Sequence, residues 1–160
     1  MDSTFVRTLT VIGAVGSGVV AGVFFAFSTF VMSGLRKAPA PAGIAAMQSI
    51  NRQAPTPAFM LAFLGTTGVC VVLGIIALTK WGSTAATLAL IAAVLALVPV
   101  IMTGAYHQPR NLAFEHVDPA APGAVDAWRS YLAGWVPWNH VRTVSSAAAA
   151  VLLTLSVRAA

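Results

Sequence analysis

Asn139, His140 and Arg142 stand between two indoles, Trp135 and Trp138, and an almost wholly apolar run from Val144 to Val157. Together they are the tools for making and holding an anion. An imidazole with a pKa near ~6.5 accepts a proton at neutral pH. A guanidinium stays charged and offers five donors to an oxyanion or enolate. An asparagine amide holds a carbonyl or fixes a histidine tautomer. Trp135, Trp138 and phenylalanines elsewhere, Phe24 among them, could sandwich a flat ring. At 3.6 residues per turn, Asn139, Arg142, Thr143 and Ser146 share a helical face, and His140 leaves the helix about 100° from Asn139. Ionisable groups beside hydrocarbon are costly and usually face a bundle interior or a water-filled cavity. The same residues also fit plain anchoring, with a snorkelling arginine in an interfacial tryptophan belt. The residues alone leave both readings open.

Two further polar groups need positioning. Thr103, Tyr106 and His107 recur at helical spacing and run into Gln108, Arg110 and Asn111. Gln48, Asn51 and Arg52 fall at i, i+3 and i+4, on one face of a short helix. A metal or haem held by His107, His116 and His140 is a minority alternative, because no close paired histidine spacing supports it. There is no dinucleotide glycine fingerprint, P-loop or nucleophile elbow. Nucleotide cofactors and serine hydrolysis are therefore unsupported. Cys70, the one cysteine, lies in an apolar segment and reads as a small buried hydrophobe.

The elements that carry these residues are membrane helices. Of 160 residues, 58% are hydrophobic and 8% are charged, and the mean hydropathy is +0.85. Soluble domains carry roughly 25% charged residues. The expected architecture is all-α: one domain, residues 1–160, a four-transmembrane-helix bundle with interfacial helices in loops one and three. Spans are predicted over about 6–32, 58–79, 84–106 and 138–157, each near the ~20 residues that cross a bilayer. The first is longer than the apolar part of a signal peptide. Residues 43–53 predict the loop-one helix. Val125, Trp128, Leu132 and Trp135 predict an amphipathic interfacial helix over 124–134, with Pro137 separating it from the last span. Pro99 predicts a kink in the third span. In the first span, Ala14, Gly18, Gly22 and Ala26 form a small-residue face for close helix packing. Ser17, Ala21, Phe24 and Ser28 form a neighbouring stripe. The net charge of +5 is spread thinly over loops, so no nucleic-acid partner is expected. Six basic residues fall on the loop one and loop three side, which the positive-inside rule places in the cytoplasm. A lipid bilayer is the expected environment, with a homo-oligomer open on the small-residue faces.

Several stretches together resemble a known family: Ala21 to Phe27 and on to Met32, Met47 to Asn51, His107 to Leu112, Trp128 with Arg129, and Trp138 to Thr143. They are similar to the anthrone oxygenase-like family of small four-helix membrane proteins, over nearly the whole chain. Arg110 stands where the family motif usually carries an apolar residue. The resemblance implies oxidation of an anthrone, or a flat quinol-like aromatic, to a quinone by dioxygen without a bound organic cofactor. It implies His140 as the base, with Arg142 and Asn139 holding the enolate oxygen. Gln48, Asn51, His107, Arg110 and Asn111 would line the polar end of the substrate site, and Trp135, Trp138, Phe24 and Ser28 its walls. The alternative is a non-catalytic membrane protein that binds a quinone, lipid, haem or metal.

Overall fold

Apolar runs this long bury their backbone polar groups only as helices, because hydrocarbon offers no hydrogen-bonding partner. A computed structural model describes residues 3–160, and among these the regular elements are all helices. Four helices are long and apolar enough to cross a membrane: α1, Thr4–Lys37; α3, Pro57–Thr79; α4, Thr84–Phe114; and α5, Ala124–Arg158. The short helix α2, Ala40–Gln53, lies in loop one as expected. This is the architecture of a multi-pass integral membrane protein.

Close packing is set by small residues. An added Cβ on Gly74 of α3 would lie 2.8 Å from the Cβ of Ala93 on α4. Ala85, Ala89, Ala92 and Ala96 extend that seam and are buried. On α1 the packed face is not the one expected. Gly18 and Gly22 point outward with nothing within 4 Å of an added Cβ, whereas Gly13 and Gly16 meet Leu153 and Thr66. Ser17, Ala21 and Phe24 face the bundle. A helix that is apolar all round carries no periodic signal to choose between these faces.

The last helix corrects a second expectation. Pro137 does not separate an interfacial helix from a span; α5 runs unbroken for 35 residues with Pro137 inside it. At 1.5 Å per residue such a helix is roughly 50 Å long, well beyond the ~30 Å hydrocarbon core. Its first turns therefore extend the span past the bilayer. Pro137 removes the helical donor to Ala133 O, and two neighbouring carbonyls also meet side chains of α4. Tyr106 Oη donates to Gly134 O at 3.2 Å, and His107 Nε2 lies 3.3 Å from Trp135 O.

The other three spans each carry one π-helical turn: Phe27–Val31 in α1, Leu61–Gly65 in α3 and Thr103–His107 in α4. With the proline of α5, these irregularities lie in one layer at the loop-one and loop-three end. A π turn moves the hydrogen-bond register from i→i+4 to i→i+5, and such turns occur often at functional sites. Side chains bond carbonyls beside each turn. Asn139 donates to Phe24 O, Thr67 donates to Phe63 O, and His107 Nδ1 lies 3.0 Å from Met102 O.

Candidate active site

The irregular layer encloses a buried polar cluster. Asn139 is fully buried; its Nδ2 donates to Phe24 O and to Ser28 Oγ, both at 2.8 Å. Ser28 Oγ lies 2.9 Å from Thr143 Oγ1, and Thr143 Oγ1 donates back to Asn139 O at 3.0 Å. The three side chains thus close a ring of hydrogen bonds between α1 and α5. Arg142 sits beside it, 5% exposed. Its Nη2 donates to Asn139 Oδ1 at 2.7 Å, and its Nη1 donates to Thr103 Oγ1 at 3.1 Å. The guanidinium carbon lies 4.4 Å from the Phe24 ring centre and 5.1 Å from that of Trp135. Among the described residues no carboxylate pairs with it, and its Nε has no partner. An arginine buried in this way adds positive potential to its surroundings and loses none of it to a counter-ion.

The expected site residues do not form one cluster. Asn139, Arg142, Ser28, Phe24 and Trp135 come together as described. Gln48, Asn51 and Asn111 instead tie α2 to the loop ends of α4 and α5. Gln48 Nε2 donates to Phe114 O and Val117 O. Asn51 Nδ2 donates to Tyr131 Oη, and Asn111 Oδ1 accepts from Tyr131 Oη and Trp135 Nε1. Arg52, from the same helix face, pairs with Glu115 at 2.6 Å. Arg110 is exposed and stacks over Tyr106, 4.1 Å from its ring centre, and Tyr106 in turn packs against Trp138. His107 is sealed, with both ring nitrogens against backbone carbonyls.

His140 stands apart from all of these. It is exposed and, two residues from Arg142, leaves α5 about 160° away from it. It faces a groove of about 450 Å³ between α4 and α5, walled by Leu95, Val98, Val141, Val144 and Ala148. The groove is open along the outer surface, where His140, Val141 and Val144 are exposed. Ser145 also lines the groove, but its hydroxyl is bonded to the carbonyls of Val141 and Arg142. His140 is therefore the groove's free polar group. One substrate atom cannot reach both His140 and Arg142, so the single base-plus-cation site splits into a groove and a buried cluster behind it.

The histidine set for a metal does not assemble. Among the described residues no group of three His, Cys, Asp or Glu side chains could hold a metal ion. His107 is committed to carbonyls and His116 lies exposed in the turn after α4. Tyr131, which links Asn51 to Asn111, and the hydroxyl of Thr103 on Arg142 were not among the expected site residues. Tyr131 is masked by the tryptophan stripe around it, and Thr103 takes its position from a π turn.

A family model described as anthrone oxygenase matches residues 58–152, more than half of the chain. Neither a curated protein nor a solved structure matches the chain.

Proposed function

The chain belongs to the anthrone oxygenase family, and from that premise we propose that it oxidises a flat anthrone- or quinol-like aromatic with dioxygen inside the membrane. The observation that carries this is the groove. It is apolar, large enough for fused rings, open towards the bilayer, and furnished with one free imidazole.

In this reading the substrate slides from the bilayer into the groove and His140 removes a proton from the carbon opposite the carbonyl. The enolate so formed passes one electron to dioxygen, and the radical pair joins as a peroxide at that carbon. The peroxide anion takes back the first proton from His140 to become a hydroperoxide. Loss of the second hydrogen there as a proton then breaks the O–O bond. One oxygen stays as the new carbonyl; the other leaves as hydroxide and becomes water with that second proton. One anthrone and one dioxygen thus give one quinone and one water. The substrate supplies the electrons, so no organic cofactor is required. Arg142 acts through α5, as a buried positive charge that favours the enolate, and Asn139 positions it. General bases typically contribute 10²–10⁴-fold.

The test is dioxygen uptake and quinone absorbance with an anthrone and the detergent-purified chain. His140→Ala is expected to lower turnover by about 10²-fold or more, and Val144→Trp to raise KM by obstructing the groove. Absence of uptake, or full turnover in His140→Ala, overturns the proposal.

A further inference from the structure

The side of α5 that forms the groove continues past His140 towards the loop end. At 100° per residue, Gly134, Pro137, His140, Val141 and Val144 lie within about 120° of one another around the helix. Pro137 is exposed and Gly134 half-buried, and neither carries a long side chain to close that face. A Cβ added to Gly134 would sit 3.0 Å from Tyr106 Oη, 3.5 Å from Arg110 Nε and 3.8 Å from Arg110 Nη2. Gly134 therefore faces α4, and its missing side chain lets Tyr106 and Arg110 lie against α5. There the Arg110 guanidinium carbon is 4.1 Å from the Tyr106 ring centre, which is 5.3 Å from that of Trp138. Trp138 is 41% exposed, so this stack forms an open shelf at the upper end of the groove.

Arg52 and Arg129 are paired with carboxylates, and Arg142 is buried. Arg110 is exposed, and among the described residues no carboxylate pairs with it. Stacking on a ring occupies the face of a guanidinium and leaves its in-plane donors available. That planar fork matches a carboxylate through two parallel hydrogen bonds. Six residues separate Gly134 from His140, about 9 Å along the axis at 1.5 Å per residue. A carboxylate on the outer ring of a fused aromatic, with its hydrogen bond to Arg110, spans about that distance from a carbon of the neighbouring ring beside His140. Hydrocarbon rejects an ionised group. The acid end would therefore stay at the loop end of the groove and the rings would point inward, in one orientation.

We propose that the groove takes an acidic fused-ring aromatic and that Arg110 binds its carboxylate. The inference rests on the proposed oxidation for its substrate class, but its test reads binding alone. With the full chain in nanodiscs of zwitterionic lipid, quenching of tryptophan fluorescence measures the affinity of an anthraquinone carboxylate and of its neutral carboxamide. Arg110→Met is expected to weaken the carboxylate about fivefold, the upper end for an exposed ion pair, and to leave the carboxamide unchanged. Arg110→Lys should retain part of the difference. Arg36→Met, which removes the same charge from an exposed position on α1, should change neither probe. No binding of the carboxylate, equal losses for both probes, or a carboxylate affinity that Arg110→Met leaves intact overturns the proposal; the last is also the result if Arg110 holds a lipid phosphate instead. In an active preparation, Arg110→Met should raise KM for a carboxylated anthrone and leave kcat unchanged. Carboxylate binding that depends on Arg110, without oxidation of any anthrone, rejects the proposed function and leaves the acid site. Oxidation of acidic and neutral anthrones with the same KM in the parent chain and in Arg110→Met rejects the acid site and leaves the function.

Discussion

Replacing Arg142 by methionine should move activity and stability in opposite directions. The guanidinium and the groove lie on opposite sides of α5, so they are separated by about one helix diameter, ~10 Å. At an effective dielectric of about 20, a unit charge at that distance stabilises an anion by roughly 1.7 kcal/mol. Losing it should slow enolate formation about 20-fold. Stability follows a different sum. Burying a charge costs several kcal/mol, and no carboxylate offsets it here. Arg142 gains two hydrogen bonds, to Asn139 and Thr103, each returning about 1.5–3 kcal/mol. Methionine removes the charge and fills the space between Phe24 and Trp135, but it leaves Asn139 Oδ1 without its donor, a cost of about 1–3 kcal/mol. The net expectation runs from no change to a gain of about 2 kcal/mol for the variant, since replacing buried charge by apolar groups is often neutral or stabilising. Turnover is followed by dioxygen uptake, and stability by thermal unfolding in nanodiscs with tryptophan fluorescence. Arg142→Lys, which keeps the charge, should retain most of the rate. Full turnover in the methionine variant, together with a loss of more than about 2 kcal/mol, would refute the reasoning and make Arg142 a purely structural strut.

Two further predictions concern packing. Gly43→Ala should destabilise the loop-one helix by about 1–3 kcal/mol, because the new Cβ would sit 2.9 Å from Leu35 O and 3.1 Å from the Trp128 ring; limited proteolysis of α2 measures it. Gly22→Leu projects into open space and should leave thermal unfolding of the single chain unchanged. If the outward face of α1 joins copies of the chain, the same variant lowers the mass seen by light scattering; an unchanged mass removes that face from any assembly.

The spans were legible in the sequence as apolar runs of bilayer length, and the loop-one helix and the shared face of Asn139 and Arg142 from local helical spacing. The face of α1 was not, since Gly18 and Ser17 sit on an evenly apolar cylinder and only the partner helices distinguish them. Pro137 reads as a break because its own hydrogen bond is lost. The helix nonetheless continues through it, packed there against Tyr106 and His107 of another helix, whose side chains reach Gly134 O and Trp135 O. The π turns leave no mark in composition. They alter which residues face inward by one position, and Thr103 reaches Arg142 for that reason. The separation of His140 from Arg142 did follow from their spacing, but chemistry alone placed them in one site.

A π turn is geometrically a one-residue insertion absorbed without a loop. Each of α1, α3 and α4 therefore consists of two ordinary helical segments offset by one position along the sequence. Deleting a single residue within such a turn, Thr29 in α1 for example, restores a continuous α-helix and keeps both segments in their own phase. The same deletion a turn or two away, at Val23, rotates everything between it and the π turn by about 100°, carrying Phe24 off the bundle. Relatives that differ by one residue in a span are thus expected to place the gap at this layer, where the length of a helix can change without turning over its faces.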